Sequence, residues 1–202
     1  MTIFCVGRNY LEHAVELNNP VPLEPVIFCK PHTALLRENK AFYIPNFSKD
    51  IHYEVEVVLK ICKNGKAIPI DKAGDYYSHI GLGIDFTARD IQKRCKEKGL
   101  PWEIAKGFDG SAVLSDWIAR DDLKERSIAF SLKKNNELVQ QGDTKDLLFS
   151  FEKIISYLSE FFRLNNGDII YTGTPAGVGP VSIGDQLEGF INDQRMFVCQ
   201  IK

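Results

Sequence analysis

Two glutamates one residue apart, Glu54 and Glu56, lie inside the apolar run 51–59. Side chains of a β-strand leave the same face at every second residue, so this spacing predicts two carboxylates roughly 7 Å apart on one face. Two anions held together in a partly dry place repel each other unless a cation lies between them. Hard divalent cations such as Mg2+, Mn2+ or Ca2+ bind carboxylate oxygens, so the pair could supply two ligands of a metal ion.

A third carboxylate, Asp85, follows the glycine-spaced segment 81–84, where a predicted strand gives way to a helix. Its side chain could project beyond the sheet edge. Three protein carboxylates would leave positions open for water or substrate on an octahedral ion. The spacing fits a second interpretation equally well, in which the glutamates line a solvated strand face and Asp85 caps the next helix. The residues alone leave both interpretations open.

A candidate general base lies near the N-terminus, where a short helix is predicted over residues 10–17 with Asn9 as its N-cap. His13 and Glu16 are three residues apart, so they are neighbours on a helix surface. A carboxylate at one ring nitrogen fixes the tautomer and raises the basicity of the other nitrogen, as a general base requires. An incidental ion pair on a surface helix would explain the same residues. The other histidines have no such neighbour and are predicted to be structural: His32, His52 and His79.

Further polar residues could bind a ligand. Lys106 lies among apolar and glycine residues and could neutralise an oxyanion, although snorkelling to water is the alternative. Arg89 and Gln92 lie one turn apart on the helix predicted after Asp85, and they could reach a ligand bound to the metal. The segment 172–180 is rich in glycine and threonine, and its amides could form a nest for a carboxylate.

Composition restricts the class of protein. The 202 residues are 44% hydrophobic and 26% charged, which is typical of a soluble globular protein with one large domain over residues 1–202. A net charge of -2 gives no general attraction to nucleic acid or an anionic membrane. The chain lacks an apolar run of membrane-spanning length, and its start lacks a signal or transit segment, so we expect a cytoplasmic protein. Five scattered cysteines without a C-x-x-C argue against a disulfide framework or a thiolate zinc site.

Short apolar runs predict a β-rich α+β fold with few short helices. The predicted strands are 3–6, 26–29, 51–61, 79–86, 128–133, 169–172, 186–191 and 196–201, with a hairpin turn at Asn135–Asn136. Besides the helix at 10–17, helices are predicted over 88–98, capped by Thr87, and over 151–164, capped by Ser150. Long irregular loops are predicted at 18–25 and 172–184, where function often lies.

These motifs occur together, and in this order, in one known family. The chain resembles the fumarylacetoacetate hydrolase family, and in particular its short, single-domain acylpyruvase-like and oxaloacetate decarboxylase-like members. The matching segments are CVGRNY at 5–10 with Glu12-His13, Glu54-Val55-Glu56, DFTARDIQ at 85–92, KGLPW at 98–102, AKGF at 105–108 and GDIIYTGTPAGVG at 167–179. The extra N-terminal domain of the longer members has no counterpart here, which argues against fumarylacetoacetate itself as the substrate.

The resemblance implies a mixed β-roll, a homodimer, and Mg2+ or Mn2+ held by Glu54, Glu56 and Asp85. It implies that His13, Glu16 and Lys106 are catalytic. It implies that substrate is bound by three further residues: Arg89, Gln92 and Thr174. It also implies a lid, over about residues 9–25, that orders over bound ligand and excludes water.

The leading hypothesis is a metal-dependent hydrolase that cleaves a carbon–carbon bond in small β-diketo acids of the acylpyruvate type, giving pyruvate and a carboxylate. The same site could instead decarboxylate oxaloacetate, or isomerise a 2-hydroxyhepta-2,4-diene-1,7-dioate-type compound. An alternative of another class is a non-catalytic protein that binds a metal and a keto acid. The presence of both His13 and Glu16 argues against it, because a binding protein needs no oriented base.

Overall fold

The computed structural model describes residues 1–16, 20–123 and 127–202. Within them the strands are β1 Ile3–Gly7, β2 Val26–Lys30, β3 Leu35–Leu36, β4 Ile51–Tyr53, β5 Val55–Ile61, β6 Tyr77–Asp85, β7 Thr87–Ala88, β8 Ala112–Leu114, β9 Ile118–Ala119, β10 Ala129–Lys134, β11 Glu137–Asp143, β12 Ile169–Tyr171, β13 Gly179–Pro180, β14 Gln186–Ile191 and β15 Gln194–Gln200. The α-helices are α1 Leu11–Glu16, α2 Ile70–Ala73, α3 Arg89–Lys98, α4 Glu103–Lys106 and α5 Phe151–Phe161. The prediction of a β-rich α+β fold with few short helices is confirmed.

The largest sheet is mixed, with the strand order β2-β1-β12-β5-β6-β8-β3 and β9 beside β6. Residues 55–59 of its central strand β5 are all buried, as expected for a strand covered on both faces. Strands β5 and β6 are antiparallel, with Val55 opposite Ile84 and Glu56 opposite Gly83. This register places the beginning of β5 beside the end of β6, so the acidic residues at these two ends meet.

The predicted strand 51–61 is interrupted at Glu54. Strand β4 pairs with β13 and β7 in a three-stranded sheet, whereas β5 pairs with β12 and β6 in the large sheet. The chain therefore passes from one sheet to the other at Glu54. The N–H of Val55 donates to Oε1 of Gln140 at 2.9 Å, so this buried backbone group is satisfied by a side chain instead of a neighbouring strand. The prediction of one continuous strand is wrong at this residue.

The hairpin predicted at Asn135–Asn136 is confirmed, because β10 and β11 are antiparallel neighbours joined by these two residues. Both asparagines have a positive φ, 53° and 69°, as in a two-residue type I′ turn. The hairpin forms one edge of a four-stranded sheet with the order β11-β10-β14-β15. It carries Gln140 to the break between β4 and β5.

Two predicted helix caps are wrong. Helix α1 begins at Leu11, and Asn9 Oδ1 accepts a hydrogen bond from the Phe149 amide at 2.8 Å, so Asn9 joins two loops and does not cap the helix. Leu17 lies outside the described residues. Helix α3 begins at Arg89 without a side-chain cap, because its N-cap residue is Ala88. Thr87 lies one residue earlier, and its hydroxyl accepts a hydrogen bond from Lys106.

The third cap is confirmed. Ser150 Oγ accepts a hydrogen bond from the Lys153 amide at 3.3 Å, so Ser150 caps helix α5 as predicted. The helix ends at Phe161, earlier than the predicted residue 164, because Phe162 is extended (φ -116°, ψ 144°). The predicted loop 172–184 contains the short strand β13, and the loop 18–25 lies partly outside the described residues.

Candidate active site

Three carboxylates meet where β5 begins and β6 ends. The side chains of Glu54, Glu56 and Asp85 each offer an oxygen, and these oxygens lie within 4.8 Å of one another. The three residues are only 5%, 2% and 1% exposed. This burial excludes the interpretation of a solvated strand face. Asp85 does not cap the following helix either, because the N-cap position of α3 is Ala88.

Lys106, at the end of α4, lies against two of these carboxylates. Its Nζ is 2.8 Å from Glu54 Oε2 and 2.7 Å from Asp85 Oδ2, and it donates to Thr87 Oγ1 at 2.6 Å. The three donors of the ammonium group are therefore all used, and the side chain is buried. The alternative that Lys106 snorkels to water is wrong.

Arg89 and Gln92 lie on the first turn of α3, beside the same carboxylates. Arg89 Nη2 is 2.5 Å from Glu54 Oε1, and Arg89 Nη1 donates to Gln92 Oε1 at 2.8 Å. The helix spacing that placed these two residues together in the sequence is thus present in the structure. Glu54 receives a cation at each of its two oxygens.

A second buried lysine, Lys30 at the end of β2, was not predicted to be part of the site. Its Nζ lies 2.7 Å from Asp85 Oδ1 and donates to the carbonyl groups of Phe86, Lys106 and Ser111. The contact with Asp85 Oδ1 falls outside hydrogen-bond geometry, so among the described residues this buried oxygen has an ion-pair neighbour but no hydrogen-bond donor. The only sequence signal for Lys30 was a lysine directly after an apolar strand.

The pKa values of the two glutamates shift in opposite directions because their neighbours differ. Burial would raise the pKa of Glu54, but Lys106 and Arg89 outweigh it and hold that pKa far below its ordinary range. Burial, together with Asp85 and Glu54, raises the pKa of Glu56 well above its ordinary value. Three buried carboxyl groups, one with a pKa raised by burial and by its acidic neighbours and one with an oxygen that lacks a donor, are a donor set that fits a hard divalent cation.

The candidate base is buried and oriented. His13 Nδ1 lies 3.2 Å from Glu16 Oε2, and Glu16 Oε1 accepts from the Gly177 amide at 3.0 Å. Because a carboxylate only accepts, Nδ1 carries the hydrogen, and Nε2 of the neutral ring is free to accept a proton. Burial lowers the pKa of His13, which favours that neutral ring. The alternative of a surface helix is wrong for His13, which is a buried residue.

The glycine-rich loop after β12 binds the protein's own carboxylates. The Gly173 amide donates to Glu56 Oε2 at 2.7 Å, and the Gly177 amide donates to Glu16. These amides are therefore engaged and do not form an open nest for a ligand carboxylate, as the sequence had suggested. Between them, the buried side chain of Thr174 lines the same cavity as the acids.

All the predicted site residues except Glu16 line one cavity, and Glu16 contacts His13 from outside it. They are His13, Glu54, Glu56, Asp85, Arg89, Gln92, Lys106 and Thr174. Two cations that the sequence did not single out, Arg8 and Lys96, complete the wall with Phe28 and Trp102. The space that the centre of a water molecule can reach inside is about 30 Å3. The sequence around Arg8 and Lys96 did not indicate that they line a site, because isolated basic residues are common on protein surfaces.

The mixed β-roll encloses one cavity lined by buried carboxylates, an oriented histidine and a buried lysine. This arrangement is that of an enzyme with a candidate divalent metal centre. Residues 2–202 match the family described as "Fumarylacetoacetate (FAA) hydrolase C-terminal". The chain belongs to the fumarylacetoacetate hydrolase family, which confirms the resemblance inferred from the motifs. Among the described residues, none of the helices combines the length and apolar character that crossing a bilayer requires.

Two curated relatives illustrate the similarity in sequence. A mitochondrial oxaloacetate tautomerase from Mus musculus is 42% identical over 191 residues, which cover 94% of this chain and 86% of the relative. A mitochondrial oxaloacetate decarboxylase from Dictyostelium discoideum is 40% identical over 188 residues, covering 92% and 86%.

Solved structures show the same fold. A fumarylpyruvate hydrolase from Pseudomonas aeruginosa, in complex with Mn2+ and pyruvate, is 36% identical with a TM-score of 0.94, covering 100% of this chain and 89% of that one. A 5-carboxymethyl-2-hydroxymuconate delta-isomerase from Mycobacterium smegmatis is 30% identical with a TM-score of 0.88, covering 99% and 78%. The family thus includes proteins named for hydrolysis, decarboxylation, tautomerisation and isomerisation.

Proposed function

We propose that this chain is a divalent-metal-dependent enzyme of small 2-keto acids, and that it hydrolyses a carbon–carbon bond in acylpyruvates. The observation that carries the proposal is a buried His13, held by Glu16, in the same cavity as a triad of buried carboxylates. Hydrolysis of a β-diketo acid needs a general base that activates water and a metal ion that polarises the keto acid, and these residues could provide both.

Three residues would hold the ion: Glu54, Glu56 and Asp85. Their carboxylate oxygens suit Mg2+ or Mn2+, and the P. aeruginosa relative, which binds Mn2+ and pyruvate, supports a divalent cation. When bound, such an ion would polarise the keto oxygen and orient the keto-acid end of the substrate.

The chain's own side chains would carry out the proton transfers. His13 Nε2 takes a proton from water, Glu16 stabilises the imidazolium that forms, and the hydroxide adds to the acyl carbonyl carbon distal to the keto acid. Because the three hydrogens of the Lys106 ammonium group are donated to Glu54, Asp85 and Thr87, its positive charge stabilises the negative charge that develops on oxygen through the electrostatic field and not through a hydrogen bond. The bond between the acyl carbon and the methylene carbon then breaks. The methylene carbon takes the proton back from His13, so the products are a carboxylic acid, which ionises, and pyruvate.

A lid over about residues 9–25 would control access. The space open to the centre of a water molecule is small, about 30 Å3, so we expect part of the cavity wall to move when a keto acid enters. Helix α1 carries His13 and Glu16, and its bond from Glu16 to the Gly177 amide would form on closure. Slower amide exchange over residues 9–25 upon addition of Mg2+ and oxalate would support this lid. Unchanged exchange would contradict it.

Oxaloacetate is a second candidate substrate. The curated relatives at 42% and 40% identity are an oxaloacetate tautomerase and an oxaloacetate decarboxylase. Arg8 and Lys96 line the same cavity and could meet the second carboxylate of a dicarboxylic keto acid. Decarboxylation needs no water nucleophile, and tautomerisation needs only a proton transfer. Isomerisation of an unsaturated dioate, as in the name of the M. smegmatis relative, would use the same groups.

The test is turnover of each substrate class by the purified protein with Mg2+, with Mn2+ or with a chelator. Acetylpyruvate, oxaloacetate and 2-hydroxyhepta-2,4-diene-1,7-dioate are supplied separately, and pyruvate, CO2 or ultraviolet absorbance is followed. We expect metal-dependent release of pyruvate from acetylpyruvate, lost in His13→Gln while the variant still binds metal. Acetylpyruvate hydrolysis that survives in His13→Gln would overturn the assignment of the base. Tight oxalate binding without turnover of any keto acid would support the non-catalytic alternative.

We further propose that residues 1–202 act as one catalytic domain and assemble as a homodimer, as the family resemblance implies. Light scattering on the purified protein would give twice the chain mass of 22.9 kDa, and a monomer mass would contradict the proposal. A cytoplasmic location stays a prediction, and the two curated relatives are mitochondrial proteins.

A further inference from the structure

Gln140 on β11 is 2% exposed, and its amide makes hydrogen bonds at both ends. Oε1 accepts from the Val55 N–H at 2.9 Å. Nε2 lies 2.9 Å from Thr174 Oγ1 and 2.9 Å from the carbonyl oxygen of Pro175. A backbone N–H only donates and a carbonyl only accepts, so the Val55 and Pro175 contacts fix which amide atom is oxygen and which is nitrogen. Gln140 is therefore the donor to Thr174.

This direction determines what the Thr174 hydroxyl can do. Its oxygen accepts from Gln140, so its hydrogen points elsewhere. Among the residues that the structure describes, Thr174 Oγ1 donates to no protein acceptor, although the residue is buried. The hydroxyl lines the cavity that also holds His13 and Lys106. A buried hydroxyl with an unused hydrogen is suited to an acceptor that a ligand brings.

We propose that Gln140 is a positioning residue that fixes the Thr174 hydroxyl as a hydrogen-bond donor to an anionic oxygen of the keto-acid ligand. This inference rests on the proposed function for the chemistry of the ligand. Carboxylate and keto oxygens both accept, so Thr174 in this orientation favours a keto-acid end over a group that can only donate. Gln140 acts through Thr174 and does not itself line the cavity.

The same glutamine also has a structural role that the test must separate. Its Oε1 satisfies the Val55 amide, which lies between two of the candidate metal ligands, Glu54 and Glu56. A variant that loses both bonds could disturb metal binding as well as ligand binding. The affinity for Mg2+ alone is therefore measured beside the affinity for oxalate, which presents the same adjacent acceptor oxygens as a keto acid.

The experiment is a double-mutant cycle in oxalate affinity, measured by calorimetry on the full chain in saturating Mg2+. Thr174→Val removes the hydroxyl and keeps the side-chain shape, and Gln140→Met removes the orienting donor. We expect each variant to bind oxalate roughly ten- to a hundredfold more weakly, the range for a hydrogen bond to a charged group. The double variant should be no weaker than either single variant, because both remove the same interaction. Thr174→Ser should retain most of the affinity.

Independent, multiplying effects of Gln140→Met and Thr174→Val would overturn the proposal, and so would unchanged oxalate affinity in Gln140→Met. If Gln140→Met fails to fold or loses Mg2+ affinity, Gln140→Glu replaces it in the cycle. That variant keeps an acceptor for Val55 but turns the donor into an acceptor that competes for the Thr174 hydrogen. Oxalate binding does not require turnover. Coupling without turnover on any keto acid would therefore disprove the proposed function alone, and turnover without coupling would disprove this inference alone.

Discussion

Replacing Lys30 with methionine tests how far the carboxylate cluster depends on the lysine beneath it. The Lys30 side chain is fully buried, and its Nζ lies 2.7 Å from Asp85 Oδ1. It also donates to backbone carbonyl groups, at 3.3 Å for Phe86 and 3.1 Å for Ser111. Methionine has a similar length and fills the same space, but it donates no hydrogen bond. The substitution therefore isolates the ammonium group from the packing of the stem.

The expected loss of stability follows from these contacts. Removing one partner of a buried ion pair costs about 3–5 kcal/mol when the other charge is left uncompensated. Asp85 keeps its contact with Lys106, so we expect a cost near the lower end of this range. The Ser111 carbonyl keeps the Phe86 amide as a donor and the Lys106 carbonyl keeps the Ser111 hydroxyl. The lost bond to the Phe86 carbonyl adds roughly 1–3 kcal/mol, of which the apolar thioether offsets a part. We expect the free energy of unfolding to fall by about 4 kcal/mol in the metal-free protein. That is a large share of the roughly 5–15 kcal/mol that stabilises a typical domain.

Urea unfolding with and without saturating Mg2+ measures this loss. Without Lys30, Asp85 has one cation fewer, so Mg2+ should stabilise the variant more than it stabilises the wild type. Lys145→Met is the control, because that side chain is 66% exposed in its pair with Asp143, and its removal should change stability by less than about 0.5 kcal/mol. A loss below about 1 kcal/mol in Lys30→Met, or equal stabilisation of both proteins by Mg2+, would refute this reasoning.

Three further predictions concern titrating groups. Burial lowers the pKa of His13, so kcat/KM for acetylpyruvate should rise with pH through a midpoint below 6.5. Glu16→Gln removes a group that raises this pKa, so the midpoint should move lower and kcat should fall by roughly a hundredfold, and an unchanged pH profile would contradict this. Because burial, Asp85 and Glu54 raise the pKa of Glu56, Mg2+ should displace a proton at pH 7. Calorimetry in two buffers would detect that proton in the wild type and should detect none in Glu56→Gln. Burial, with nearby cations such as Arg8, lowers the pKa of Lys96 to about 8. The KM for oxaloacetate should therefore rise above pH 8 in the wild type, and a Lys96→Met variant that keeps this rise would argue against a role in binding.

The sequence predicted correctly those strands and turns whose conformation depends mainly on residues adjacent in the chain. Strand β14 spans Gln186–Ile191 as predicted, and the hairpin turn lies at the expected asparagine pair. The position of Glu54 opposite the end of β6 depends on the register between β5 and β6, a long-range property that spacing along the chain does not contain. The spacing of the two glutamates fitted a solvated strand face as well as a metal site. The order of the family motifs along the chain was what indicated that the site residues belong together.

The errors and omissions share a physical cause. A threonine before a helix commonly caps it, but helix α3 begins one residue too late for Thr87 to do so, and the Thr87 hydroxyl accepts from the buried Lys106 ammonium group. Lys30 and Gln140 are polar residues at the end of a strand and in a hairpin strand, positions that are usually solvated. Their burial follows from which segments fold over them, and this depends on tertiary structure. Sequence reasoning therefore found most of the residues that line the cavity, but it missed two of its cations, Arg8 and Lys96, and the buried Lys30 and Gln140 behind it.

The charges around the cavity determine how the binding of a metal ion and the binding of a keto acid affect each other. Three basic groups, Lys30, Lys106 and Arg89, already contact two of the three acids, Glu54 and Asp85. A divalent cation arriving alone would leave this pocket with a surplus positive charge, which an anionic keto acid would neutralise. Ion and ligand should therefore bind cooperatively, each increasing the affinity for the other by the same factor. Titration of Mg2+ at rising oxalate concentrations would reveal this reciprocity, and affinities that stay independent would argue against it.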